Sequence, residues 1–153
     1  MKSVKNEFSK TASYETLREW SIAILDFYKS EFPNQDMRYL INEFMIVISN
    51  LDKKRNIRKM RAMFKETNIM FGEEMLLPEQ MDRLNDILHK KFSHTLADEF
   101  DRETAIIDKI IKRGKIRNDD EFEMVKRREE EIYADESQFE YAEALRNLMS
   151  AYE

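Results

Sequence analysis

The chain has 153 residues, of which 42% are hydrophobic and 37% are charged, and its net charge is −5. It contains two glycines, two prolines, two histidines and no cysteine, so the residues of phosphate loops and tight hairpins are scarce, and disulfides and cysteine zinc sites are excluded. We therefore expect an all-α, single-domain, multi-helix bundle of about six or seven helices, with residues 1–12 as a flexible lead-in and residues 13–153 as the domain.

The first half of the chain predicts two or three helices. Ser13 is the expected N-cap of the first, whose apolar stripe ends before Phe32-Pro33. A second helix begins near Asp36 and has a broad apolar face, which predicts a central place in the core. Residues 50–55 are either a break or a kink, so the cationic segment that follows is a third helix or a continuation of the second, and it ends at Phe71-Gly72.

The second half begins with the start signal Leu77-Pro78-Glu79. Residues 79–112 form either one long helix or two helices with a break near 93–98, and Lys112-Arg113-Gly114 ends this region. Asn118 caps the next helix, and a turn near 135–137 leads into the last one. The buried stripe expected on the first of these two helices is Phe122, Val125, Ile132 and Tyr133. The last helix carries Phe139, Ala142, Leu145, Leu148, Met149 and Tyr152 at helical spacing.

The charge is unevenly distributed along the chain. Residues 1–65 have a net charge of +5, whereas residues 116–153 have a net charge of −7. The N-terminus has no apolar region typical of a secretory signal, and no apolar run approaches the length of roughly 20 residues that spans a bilayer. We expect a cytoplasmic protein with no membrane partner and with an acidic end that can attract a basic molecule.

The residues that usually carry chemistry do not form a recognisable site. His89 and His94 are five positions apart, which places them about 140° apart on a helix, and Asp86-x-x-His89 is half of a di-metal motif without a second copy. No serine has the glycine neighbours of a nucleophile elbow, and there is no glycine-rich loop. We predict no catalytic, cofactor or metal site, no enzyme activity, and histidines at the surface or its boundary.

A basic segment, residues 53–65, is the candidate contact for nucleic acid. On a continuous helix its cations would share a face that can grip a phosphate backbone: Lys54, Arg58, Arg61 and Lys65. The protein as a whole is acidic, and no aromatic residues lie among these cations to stack on bases. The alternative interpretation is a solvated helix face.

The acidic end, residues 116–153, reads IRNDDEFEMVKRREEEIYADESQFEYAEALRNLMSAYE. It begins with an isoleucine, continues through an acid-rich cap and the pair Glu121-Phe122, and ends with Leu145, Leu148 and Ala-Tyr-Glu. This pattern resembles the helix pair that precedes the DNA-binding domain in some helix-turn-helix antitoxins of bacterial toxin–antitoxin operons. The resemblance implies a small helical module that binds a partner protein. In those antitoxins a helix-turn-helix follows, whereas this sequence ends at residue 153, so we do not expect operator binding.

Three functional hypotheses follow from these features. The first is a bacterial immunity or antitoxin-like protein that neutralises a basic toxin or enzyme by covering its surface. The second is a nucleic-acid-associated regulatory protein that uses the basic segment, and the third is an oligomeric scaffold in which the helix at 79–112 pairs with a copy of itself. In the first, Tyr133 and Tyr141 are the candidate anchors. The acids of the contact set could alternatively be capping or solvated residues: Asp119, Asp120, Glu123, Glu130, Glu131, Asp135 and Glu136.

Overall fold

The structure is a computed structural model that describes residues 8–72 and 75–153, and these residues form helices and turns with no strand. The all-α prediction is therefore confirmed. The described residues contain a 3₁₀-helix at Glu136–Gln138 and eight α-helices: α1 (Phe8–Thr11), α2 (Tyr14–Glu31), α3 (Gln35–Asp52), α4 (Ile57–Met70), α5 (Pro78–Phe92), α6 (Leu96–Arg113), α7 (Asp119–Ile132) and α8 (Phe139–Tyr152). The number expected was six or seven. The structure has eight α-helices because the chain breaks at both positions where the sequence allowed either a break or a continuous helix, and because α1 was not predicted.

Each of the two breaks has a residue in the left-handed region of backbone conformation. Arg55, with φ 51°, separates α3 from α4, and Ser93, with φ 55°, separates α5 from α6. The backbone N–H of Ser93 donates to the carbonyl of His89 at 2.8 Å, which closes the last turn of α5. Of the two alternatives for residues 79–112, the structure therefore has two helices with a break near 93–98.

The caps predicted from sequence are present. The side chains of Ser13 and Asn118 accept hydrogen bonds from the backbone N–H three residues later, at 3.1 Å and 2.9 Å. Pro78 is the first residue of α5. Gly114 follows α6 with φ 87°, and its N–H donates to the carbonyl of Ile110 at 2.9 Å.

The described chain divides into two compact units, unit 1 (Met1–Glu99) and unit 2 (Phe100–Glu153), and the division falls within α6. The single-domain assignment stays a prediction. In unit 1, α2 packs against α3, α4 and α5, and its buried side chains lie on several sides of the helix, including Leu17, Trp20, Leu25 and Tyr28.

The prediction that α3 lies centrally is wrong. Only Met37, Ile41 and Ile48 are buried along this helix, whereas Tyr39 and Ile46 are 68% and 55% exposed. Apolar residues on every side of a helix usually indicate burial, but here one side of α3 packs on α2 and α4 and the other faces solvent.

Unit 1 has an aromatic core that includes α1. Phe8 lies flat on the ring of His94, with centroids 4.1 Å apart, and it also contacts Trp20 and Phe64. Residues 1–7 of the expected lead-in lie outside the described residues, whereas residues 8–11 are helical. Arg61 holds this short helix, because its guanidinium donates to the carbonyls of Ser9 at 2.9 Å and Lys10 at 3.2 Å.

His94 is buried, so the prediction of a surface or boundary position is wrong for this histidine. Its Nε2 lies 2.6 Å from Oε2 of Glu99, which is also buried. Its Nδ1 lies 3.6 Å from Oδ2 of Asp98. The break after Ser93 turns the ring inward, a change of direction that helical periodicity could not reveal. His89 is exposed, as predicted.

Unit 2 has its own apolar core. The side chains that α6 contributes to it are Ile107 and Ile110, and residues from α7, α8 and the intervening turns complete the cluster: Ile116, Val125, Ile132, Ala142, Leu145 and Leu148. In the part of the chain that the structure describes, no helix is long and apolar enough to cross a membrane.

Candidate protein-binding surface

The outward side of α7 carries carboxylates because its other side is anchored in the core. Val125 and Ile132 are buried seven residues apart, so the residues on the opposite side of the helix face solvent. Asn118 fixes the start of the helix, and three acidic residues occupy its first turn. There, carboxylates interact favourably with the positive end of the helix dipole.

The arginines of α7 and α8 are paired within unit 2. Arg127 and Arg128 of α7 turn towards α6. The guanidinium of Arg127 contacts Glu103 at 2.8 Å, and that of Arg128 contacts the hydroxyl of Thr104 at 3.0 Å. Arg146 of α8 reaches back to Glu129 at 2.8 Å. These arginines offset acids within the unit, so carboxylates dominate the outward surface.

All eight residues of the predicted partner-binding set are exposed, and we call this set the acidic surface. Some of them also stabilise the fold: Asp119 accepts a hydrogen bond from the hydroxyl of Tyr152, and Glu131 pairs with Arg128 at 3.2 Å. Asp135 caps the turn described below. Among the described residues, no ion pair involves the remaining four carboxylates of the set: Asp120, Glu123, Glu130 and Glu136.

The turn between α7 and α8 is held by Asp135. Its Oδ1 accepts from the backbone N–H and the hydroxyl of Ser137, at 3.0 Å and 2.7 Å, and its Oδ2 accepts from the side chain of Gln138 at 3.2 Å. The hydrogen bonds from Ser137 and then Gln138 lower the pKa of Asp135, because they stabilise the ionised form. The turn therefore keeps a fixed negative charge between two aromatic side chains.

Those aromatic side chains are Tyr133 and Phe139, which are 69% and 59% exposed. The prediction that Tyr133 belongs to the buried stripe of α7 is wrong, although its other predicted role, as an anchor, fits its exposure. Phe139 was missed because helical spacing places it three residues before buried Ala142. It is the first residue of α8, and there it stays outside the core. Tyr141 is half-buried, and its hydroxyl lies 3.5 Å from Arg128.

The basic segment does not form the single helical face that was predicted. Lys54 lies in the turn before Asn56, the cap of α4, and Arg61 is engaged with α1. Arg55 in the same turn pairs with Glu15 at 2.7 Å. Arg58 and Lys65 are exposed on α4, so the nucleic-acid hypothesis keeps part of its residues and stays a prediction.

In the described part of the chain, no group of three histidine, aspartate or glutamate side chains is arranged to hold a metal ion. No family model, curated protein or solved structure matches this chain. The resemblance of residues 116–153 to the antitoxin helix pair therefore stays a prediction, and the features that bear on function are the acidic surface and the exposed side chains of Tyr133 and Phe139.

Proposed function

We propose that this protein is a protein-binding inhibitor of the immunity or antitoxin type, which neutralises a basic toxin or enzyme by covering its surface. The observation that carries the proposal is the pair of exposed aromatic side chains, Tyr133 and Phe139, on either side of a turn that is surrounded by carboxylates. The acidic surface attracts the partner, and the aromatic side chains anchor it.

Electrostatics supports the attraction of a basic partner. Unit 1 contains equal numbers of basic and acidic residues, so the net charge of −5 resides in unit 2. A localised charge of one sign raises the association rate with a partner of opposite sign by about 10–1000-fold at low salt. Toxins that act on nucleic acid are often basic, because they bind a polyanion, and the acidic surface would compete for the same cationic site.

The aromatic side chains would supply the affinity that exposed charges do not. Tyrosine and tryptophan are enriched among the residues that dominate binding energies, whereas exposed ion pairs contribute about 0–1 kcal/mol each. An aromatic side chain that is mostly exposed in the free protein has much of its surface still to bury. Tyr133→Ala and Phe139→Ala should therefore each weaken partner binding by roughly tenfold or more.

The test is affinity capture from a bacterial host with the intact protein and with a variant of four unpaired acids, Asp120→Lys, Glu123→Lys, Glu130→Lys and Glu136→Lys. We expect the wild type to capture a basic protein and to inhibit its activity after purification. The variant should do neither, because it repels the same partner.

The matched control reverses four exposed acids of unit 1, which changes the net charge by the same amount: Glu19→Lys, Asp26→Lys, Glu66→Lys and Asp82→Lys. This control should still capture and inhibit the partner. Tyr39→Ala, at 68% exposure in unit 1, is the control for Tyr133→Ala. A partner that tolerates reversal of the acidic surface but is lost in the unit 1 control would contradict the proposal.

The exposed cations Lys54, Arg58 and Lys65 support a second candidate, a protein that contacts nucleic acid. Three phosphate contacts predict a log–log salt dependence with a slope of about −2 for single strands and about −3 for duplex DNA. Replacing the three cations by glutamine should abolish binding to an oligonucleotide. Unchanged affinity in this triple variant would exclude the second candidate.

A further inference from the structure

The guanidinium of Arg128 links the three helices of unit 2. Its Nη2 donates to the hydroxyl of Thr104 on α6 at 3.0 Å. Its Nε donates to Glu131 of α7 at 3.2 Å, and its Nη1 lies 3.5 Å from the hydroxyl of Tyr141 on α8. The side chain of Arg128 is 19% exposed, so solvent screens these contacts only in part.

The contacts of Arg128 lie on both sides of the turn that separates α7 from α8. Glu131 is the last residue but one of α7, and Tyr141 is the third residue of α8. One guanidinium therefore connects the helix that enters the turn with the helix that leaves it. Asp135 also holds this turn, but its side-chain hydrogen bonds go to residues 137 and 138, so they remain local.

The rings of Tyr133 and Phe139 depend on this turn for their position. They are 69% and 59% exposed, so the core covers little of either side chain. A shallow depression beside Phe139 is lined by residues 136–141, and Tyr141 forms part of its wall. Arg128 contacts that wall through the Tyr141 hydroxyl, so it is linked to the surface on which the two exposed rings lie.

We propose that Arg128 is a positioning residue of the protein-binding surface, which bridges α6, α7 and α8 and thereby holds Tyr133 and Phe139 in one arrangement. The inference rests on the proposed function, because the arrangement of the two rings matters for binding a partner. A surface that is already ordered avoids the loss of side-chain freedom on binding, which is a factor of about 2 to 10 in affinity for each side chain. Arg128 acts through the turn and does not need to touch the partner.

The chemistry of arginine gives this role a specific signature. A guanidinium has five N–H donors in a planar fork, whereas a lysine ammonium is a compact charge. Arg128→Lys keeps the charge but cannot span three acceptors on three helices. Arg127, adjacent on α7, is the matched control, because its one ion pair among the described residues, with Glu103 at 2.8 Å, is a contact that lysine can keep.

Amide hydrogen exchange of the full-length protein tests the turn in the absence of a partner. The amides to follow are hydrogen-bonded within the turn: Asp135, Ser137 and Gln138. In Arg128→Lys they should exchange about 5- to 10-fold faster, as expected for the loss of one or two hydrogen bonds, whereas the core amides of Ile110 and Leu145 should keep wild-type rates. Arg127→Lys should change neither group. A role in overall stability alone would raise exchange in the core and the turn alike.

The second measurement is the affinity of both variants for the purified basic protein that the wild type captures. Arg128→Lys should bind it roughly tenfold more weakly, because two side chains must then be ordered on binding, and Arg127→Lys should bind it like the wild type. Equal exchange of the turn amides in the two variants would overturn the proposal, as would faster exchange in Arg128→Lys with unchanged affinity. A wild type that captures no basic protein would contradict the proposed function, and the exchange rates would still decide whether Arg128 holds the turn.

Discussion

The buried contact between His94 and Glu99 leads to the first residue-scale prediction. The two side chains lie 2.6 Å apart with 5% and 10% exposure, so removing the histidine leaves a buried carboxyl group without its partner. His94→Ala should lower the free energy of unfolding by roughly 3 kcal/mol, measured by urea denaturation at neutral pH. His89→Ala, at an exposed position, should change it by less than about 0.5 kcal/mol. Similar small losses in both variants would contradict this account of the core.

Asp52 leads to a residue-scale prediction about pH. Its carboxylate accepts from the hydroxyl of Tyr14 at 2.6 Å and from Nε of Arg18 at 2.9 Å, and the hydrogen bond from Tyr14, then the contact with Arg18, lowers its pKa. A lowered pKa stabilises the fold above the ordinary carboxylate pKa of about 4, and this contribution is lost as the pH falls through the folded-state pKa.

Asp52→Asn should therefore destabilise the protein by about 1–2 kcal/mol at neutral pH and should flatten the decline of stability in acid. The measurement is urea denaturation at neutral pH and at several values below pH 4, with Asp26→Asn, an exposed position on α2, as the control. Equal acid sensitivity of the wild type and Asp52→Asn would show that this carboxylate does not contribute.

At the scale of whole elements, the ends of helices were predictable and the depth of their burial was not. Ser13, Pro78 and Gly114 act on the backbone within a few residues, so their effect can be recognised in the sequence alone. The burial of α3 depends on how many neighbouring helices cover it, which its own apolar pattern does not contain. The exposure of Phe139 was not predictable either, since it depends on the preceding turn.

Two of the left-handed positions that follow helices, Gly114 and Ser93, give a prediction at this scale. Gly114 has φ 87° with open space where a Cβ would lie, so Gly114→Ala imposes backbone strain without a clash and should cost about 1–2 kcal/mol. Ser93 already has this strain at φ 55°, so Ser93→Gly should be neutral or stabilising. Thermal or urea denaturation compares the two, and a stabilising Gly114→Ala or a clearly destabilising Ser93→Gly would contradict the assignment.

At the scale of the whole molecule, the sequence located the acidic end but not the way its charges are arranged. The ion pairs of Arg127 with Glu103 and of Arg146 with Glu129 join residues 24 and 17 positions apart. Their formation depends on how the helices of unit 2 pack, so it could not be anticipated from charge counts. A count of charges along the sequence would treat Arg127 and Arg146 as neutralising the acidic surface. In the structure they pair instead with Glu103 and Glu129.

This arrangement predicts where the protein meets a polycation. A short polylysine peptide, followed by amide NMR, should shift the signals of residues 119–140 more than those of unit 1, because the excess of acids lies in unit 2. The shifts should disappear at about 0.5 M salt, where the screening length is only about 4 Å. The four-acid variant of the acidic surface should lose them, and the four-acid variant of unit 1 should keep them. Shifts that spread evenly over both units, or that persist at high salt, would mean that the acidic surface does not direct the encounter.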